Sequence, residues 1–188
     1  MAVKILNNCC SPAYLDCLKD VAFNSDNWNL RYPLGAPIED RFPKLTVIAD
    51  RMGHPNLAGL AMGLLLQIHE AGGQDFFIPE ITNCGISIKD KHRLDNIHTD
   101  EEPGHGFVKI LGIINSDWEE KWGGGFFHNG TSNYIKPTSF CIFDPSEPHS
   151  AAEIFTDKKR FAIDFAVFKN EQSLERWQKG PDYEKETI

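Results

Sequence analysis

Long apolar runs are missing from this sequence. The longest, Leu57 to Ile68, is broken by Gly59 and Gly63 and falls short of the ~20 residues that a membrane helix needs. The N-terminus, MAVKILNNCC, lacks the apolar core of a signal peptide. Paired cysteines are missing as well. The five present (Cys9, Cys10, Cys17, Cys84, Cys141) are an odd number without C-x-x-C spacing, which excludes a disulfide framework and a cysteine zinc site. Basic charge is scarce, with 19 Lys and Arg against 27 Asp and Glu, so no extended nucleic-acid surface is expected. Gly123 to Gly125 is not a phosphate loop, because no Lys-Ser/Thr pair follows it and no helix opens behind it. Repeats, low-complexity tracts and linkers are absent. The expectation is a soluble, cytoplasmic protein with no membrane partner, one domain over residues 1–188 and an open oligomeric state. A chain of this length buries roughly 70% of its unfolded surface and needs no staples.

What is present divides the chain in three. Residues 1–75 read as mostly helical support. Ser11-Pro12 supplies an N-cap and first turn ahead of Leu15, Leu18 and Val21 at helical spacing. A second helix is expected from near Asn56 to Ala71, stopped by Gly72-Gly73. Its stripe of Leu57, Leu60, Leu64, Leu65 and Ile68 suits packing on a sheet. Gly59 and Gly63 either let that helix approach its neighbour closely or are merely tolerated. Residues 76–169 read as a jelly-roll core of short strands: Phe76–Ile78, Cys84–Ile88, Phe107–Ile114, Gly125–His128, Phe140–Phe143, His149–Phe155 and Arg160–Phe168, with turn-rich pieces between. Residues 170–188 form a polar tail with a short helix around Leu174 to Trp177. The fold class is therefore mainly β with supporting N-terminal helices.

The chemistry centres on Asn96-Ile97-His98-Thr99-Asp100. In an extended segment His98 and Asp100 point to one side. A second imidazole, His149 of Glu147-Pro148-His149-Ser150, would complete a facial set of two histidines and a carboxylate. Such a set leaves positions open for O2 and substrate-derived ligands, as Fe(II) oxygen chemistry requires. Zinc hydrolysis could use the same ligands but would need a general base that the sequence does not supply. Arg160 opens the apolar strand Arg160 to Val167. If that strand lines a barrel, the guanidinium can enter the mouth and grip a carboxylate bidentately.

The run from His98 to Phe168, about seventy residues, resembles the 2-oxoglutarate and Fe(II)-dependent oxygenases, in their prolyl-hydroxylase-like branch. The resemblance lies in His98-x-Asp100, Ile113-Ile114-Asn115-Ser116-Asp117-Trp118, Trp122-Gly123-Gly124-Gly125-Phe126, Phe143-Asp144, His149 and Arg160-Phe161-Ala162-Ile163, in that order. It implies a double-stranded β-helix, one Fe(II), O2, and 2-oxoglutarate as co-substrate. By the same resemblance His98, Asp100 and His149 are the metal ligands, and Arg160 pairs with the distal carboxylate of 2-oxoglutarate. The implied reaction hydroxylates a small molecule or peptide side chain and releases succinate and CO2. A carboxylate at Asp100, where halogenating members carry a small residue, implies hydroxylation or a related oxidation.

The sequence departs from the family where a tyrosine commonly supports the co-substrate. Ile113 stands two residues before Asn115, and Ser87-Ile88-Lys89 stands about ten before His98. Ser87 or a water is the expected helper. His128 and Arg93 are candidate substrate-pocket residues. His92 reads as part of a solvated loop, His105 as a turn or lid residue, and His54 and His69 as structural. Trp118 and Trp122 read as packing anchors. Two alternatives remain open: a non-catalytic jelly-roll binding protein, and a cupin-like metalloenzyme that does not use 2-oxoglutarate. Cupins usually supply H-x-H, where this chain has His98-Thr99-Asp100.

Overall fold

The computed structural model describes residues 2–25, 28–31, 42–46, 54–92 and 95–180. Two helices form where the sequence predicts them. In α1 (Pro12–Phe23) the Ser11 hydroxyl accepts from the Tyr14 amide and Pro12 occupies the first turn, so the cap is built from local chemistry. In α2 (Pro55–Glu70) Leu57, Ala61, Leu64, Leu65 and Ile68 are buried, one face of a 3.6-residue period. The two glycines of that helix differ. A side chain at Gly63 would come within 2.6 Å of the Tyr14 hydroxyl, whereas one at Gly59 meets nothing within 4 Å. Close approach therefore explains Gly63 alone, and lets the Tyr14 hydroxyl donate to the Leu60 carbonyl at 2.7 Å.

Among the described residues ten strands build two antiparallel sheets: β1 (Lys4–Leu6), β2 (Asn29–Arg31), β3 (Phe42–Thr46), β4 (Ile81–Lys89), β5 (Phe107–Ile113), β6 (Phe126–His128), β7 (Thr131–Asn133), β8 (Phe140–Phe143), β9 (His149–Ala151) and β10 (Arg160–Phe168). The larger sheet runs β1-β8-β5-β10-β4-β3-β2, and the smaller runs β7-β6-β9. A third helix, α3 (Glu171–Lys179), follows β10 and sets Trp177 against Phe168.

Strand alternation sorts the large sheet into two faces. Phe161, Ile163, Phe165 and Val167 of β10 join Leu15, Leu18, Leu64 and Ile68 in the main core. Arg160, Ala162, Asp164 and Ala166 take the opposite side by the period of two. That inner side is shared by Phe143 and Cys141 of β8, which pack with Phe126 of the small sheet in a second cluster. Burial of β10 on both faces explains its nearly continuous apolar sequence.

The observed elements differ from expectation in three places. The N-terminal third contributes strands as well as helices, because β1 to β3 join the large sheet. Phe76–Ile78 is not a strand. Gly72 (φ 118°) leads into a 3₁₀ turn at Gly73–Asp75, and the Phe77 ring plugs the core against His69. The run from His149 is a strand only to Ala151, with a single further bridge between Gly123 and Ile154.

Candidate metal centre

Backbone pairing sets the site before any side chain contributes. The His98 amide donates to the His149 carbonyl at 3.0 Å, and the His149 amide returns a bond to His98 at 2.9 Å. The Asp100 amide donates to the Pro145 carbonyl at 2.9 Å. The loop that leads into β9 thus grips the His98–Asp100 segment at both ends. As a result His98, Asp100 and His149 each offer a ligand atom within 4.8 Å of the others.

The two imidazoles are oriented alike. Each Nδ1 donates to the carbonyl two residues earlier: His98 to Asn96 at 2.9 Å, His149 to Glu147 at 2.8 Å. This fixes the tautomer that leaves Nε2 for the centre. His98 Nε2 lies 3.5 Å from Asp100 Oδ1, and His149 Nε2 lies 3.2 Å from Asp100 Oδ2. Phe126 and Phe143 stand beside His149, with ring centroids 5.9 and 4.8 Å away. Lys109 of β5 also bonds Asp100 Oδ2. Burial alone would raise the Asp100 carboxyl, but bonding from His149 and the charge of Lys109 outweigh it and hold the group below the ordinary carboxylate range. Asp100 is therefore a carboxylate at neutral pH. Two imidazoles and one carboxylate form a donor set that fits a divalent ion of the Fe(II) type.

Arg160 opens β10 on the inner face and is 1% exposed. Asn115 fixes that strand start, donating to the Lys159 carbonyl at 3.1 Å and accepting the Phe161 amide at 2.6 Å. Gly124 (φ 69°) lies under the arginine stem, where a Cβ would come within 2.9 Å of Arg160 Cδ. Burial draws the Arg160 pKa down to about 10, so the group remains a cation at neutral pH. Yet its Nε and Nη2 donors are buried with no hydrogen-bond partner. Orphan donors on a buried cation are costly, and the oxygens of an anionic ligand would satisfy them. Lys109 pairs with Ala166 of β10, which places it on Arg160's side of the sheet, and it reaches Asp100. Lys109, which bonds Asp100, thus shares a face of the large sheet with Arg160, while within the cluster His149 is buried and His98 and Asp100 are solvent-exposed.

The remaining expected residues are distributed as follows. His128 is 4% exposed and sits opposite His149 in the β6–β9 pair. Its Nε2 lies 3.0 Å from Glu147 Oε2 but lacks hydrogen-bond alignment. Burial lowers the His128 pKa against the pull of Glu147. Arg93 lies outside the described residues. Ser87 is buried on β4 opposite Ala162. His92 is exposed, its amide held by Asp90. His105 is a fastened turn residue: it accepts the Phe107 amide at Nδ1 and meets Asp144 at 3.1 Å through Nε2. Trp118 is buried, donates to the Gly123 carbonyl and packs edge-on against Trp122. Burial pushes the Cys141 thiol up to about 12, so it is no nucleophile. Sequence reasoning missed Lys109, although a lone cation in Phe107-Val108-Lys109-Ile110-Leu111 was a visible signal.

No family model matches the sequence, and no curated protein matches it. Solved structures do match. A Pseudomonas putida prolyl-4-hydroxylase aligns with a TM-score of 0.64 at 12% identity, over 89% of this chain and 92% of that one. A prolyl hydroxylase from Trichoplax adhaerens, in complex with a hypoxia inducible factor peptide fragment, gives 0.60 at 16% identity, over 92% and 86%. HygX from Streptomyces hygroscopicus, with nickel, 2-oxoglutarate and hygromycin B bound, gives 0.65 at 10% identity, over 90% and 83%. Identities this low speak to architecture. Over about nine-tenths of its length this chain has the double-stranded β-helix fold seen in solved 2-oxoglutarate and Fe(II)-dependent oxygenases, prolyl hydroxylases among them.

Proposed function

We propose that this protein is an Fe(II)- and 2-oxoglutarate-dependent dioxygenase that hydroxylates a small molecule or a peptide side chain. What supports the reading is the occurrence, in a chain of this fold, of the His98, Asp100 and His149 cluster together with a buried arginine whose Nε and Nη2 lack an acceptor. A purely structural barrel gains nothing from an orphan guanidinium. A cupin-like enzyme without 2-oxoglutarate would need an anionic group on its prime substrate to satisfy it.

In this reading His98 Nε2, Asp100 and His149 Nε2 hold the iron, and Arg160 holds the distal carboxylate of 2-oxoglutarate. When bound, the iron and its co-substrate supply O2-dependent oxidation of a substrate C–H bond, with release of succinate and CO2. The chain's own residues prepare the site. The Asn96 and Glu147 carbonyls keep the Nδ1 protons in place, so both Nε2 lone pairs face the centre. The Phe126 and Phe143 rings shield His149 from water. The Asn115 clamp fixes the base of Arg160, so its fork is pre-organised for two parallel bonds. Among the described residues no helix is long and apolar enough to cross a membrane. The five free thiols support a reducing, cytoplasmic setting.

The test is 2-oxoglutarate turnover. Purified protein with Fe(II), ascorbate and air should convert 2-oxoglutarate to succinate slowly without any prime substrate. His98→Ala and Arg160→Met should each reduce that rate at least tenfold. Equal succinate production by wild type and both variants would refute the assignment.

A further inference from the structure

The strand that precedes the metal segment carries a second cation beside Arg160. Lys89 ends β4 and is the direct cross-strand partner of Arg160. Opposed residues in an antiparallel pair point to the same face with Cβ atoms about 5 Å apart, so Lys89 enters the same interior. It is ion-paired there with Asp95, and the two side chains are only 15% and 9% exposed. The Asp95 charge also acts on Arg160. Even so, Asp95 gives no acceptor to Arg160 Nε or Nη2, which remain buried without a partner. One carboxylate of the chain's own thus pairs with the lysine and leaves two of the arginine's donors unmet. Ser87, the other inward polar residue of this strand end, brings no charge.

We infer that Lys89 is a second anchor for the distal carboxylate of the co-substrate, and that Asp95 is a resident counter-ion which a bound dicarboxylate displaces from it. This rests on the reading of Arg160 as the co-substrate's arginine, and it names the residue that stands in for the missing tyrosine. A tyrosine would donate one neutral hydrogen bond; a lysine donates a charge-assisted one. Asp95 neutralises the pocket while it is empty. It also makes entry selective, because only a ligand with an anionic distal end gains by replacing it.

The experiment measures ligand affinity, not turnover. Mn(II)-loaded full-length protein is titrated by calorimetry with N-oxalylglycine (a non-reacting 2-oxoglutarate analogue) and with 2-oxovalerate, which lacks the distal carboxylate. Lys89→Met should weaken N-oxalylglycine about tenfold or more, a loss of ~1.4 kcal/mol for each factor of ten. The same change should leave 2-oxovalerate and Mn(II) affinities within twofold, and Lys89→Arg should restore most of the loss. Asp95→Asn should bind N-oxalylglycine about threefold tighter or better, its internal competitor being gone. If wild type binds N-oxalylglycine but Lys89→Met binds it equally well, or Asp95→Asn binds it more weakly, the inference is overturned while the functional reading survives. If wild type binds Mn(II) but no N-oxalylglycine, both fail together.

Discussion

Replacing Arg160 with methionine should stabilise the ligand-free protein and abolish its response to 2-oxoglutarate. The guanidinium is 1% exposed, and two of its donors have no partner. Each buried unsatisfied donor costs about 1–3 kcal/mol, so their removal returns roughly 2–6 kcal/mol. Against this stand the attraction of the nearby Asp95 charge and imperfect refilling of the site, together about 2 kcal/mol. Methionine keeps the part of the stem that lies over Gly124. The net expectation is a gain of about 0–4 kcal/mol, centred near 2, which is roughly 4–8 °C in melting temperature for a chain of this length. The assay is thermal unfolding with and without 2-oxoglutarate in the presence of Mn(II). Wild type should gain about 2.7 kcal/mol of stability from ligand at 100 times its dissociation constant, and the variant should gain nothing. A variant that melts below wild type when free, yet shifts equally with ligand, would refute the reasoning.

The cluster and the scaffold yield further expectations. Lys109→Met should tighten Fe(II) binding by about tenfold, because the ammonium that bonds Asp100 competes with the metal; anaerobic titration against a chelator measures it, and weaker binding would count against competition. Gly59→Ala should stabilise the protein by up to about 1 kcal/mol through helix propensity, whereas Gly63→Ala should gain nothing or lose, since its methyl meets the Tyr14 hydroxyl at 2.6 Å; urea midpoints separate the two. Asp144 has its pKa lowered from 3.8 to about 2: burial alone would raise it, but bonds from Ser146 and His105 prevail. A depressed folded-state pKa gives stability that is complete above the unfolded value and is lost as pH falls through the folded one. Asp144→Asn should therefore be less stable at neutral pH and show a flatter loss of stability between pH 3.8 and about 2; an unchanged acid profile would remove Asp144 from the account.

Much of this site was legible because its chemistry is carried by short, ordered signals. His98-x-Asp100, the distant His149 and the strand-opening Arg160 were marked by residue type, by their order and by the resemblance to the oxygenases, and the structure brings the first three within 4.8 Å. The helices were legible through their caps and apolar stripes, with α1 starting at Pro12 after the Ser11 cap. Other features were hidden for physical reasons. Strands of three residues such as β1 show no alternation to detect, and β3 contains Pro43, which argues against a strand from sequence alone. Phe76–Ile78 looked like a strand because burial of Phe77 leaves the same apolar signature in a turn. The opposition of Lys89 to Arg160 depends on register between strands over seventy residues apart, which periodicity within one strand cannot supply.

The central claim is that one barrel holds iron through His98, Asp100 and His149 and 2-oxoglutarate through Arg160. Anaerobic titration of the apoprotein with Fe(II) and then 2-oxoglutarate tests it most directly, with the visible charge-transfer band of the chelate as readout. The account predicts a band that saturates at one equivalent of iron, is absent in His98→Ala and needs far more 2-oxoglutarate in Arg160→Met. Iron that binds tightly with no band at any 2-oxoglutarate concentration, or a band untouched by either substitution, would contradict it.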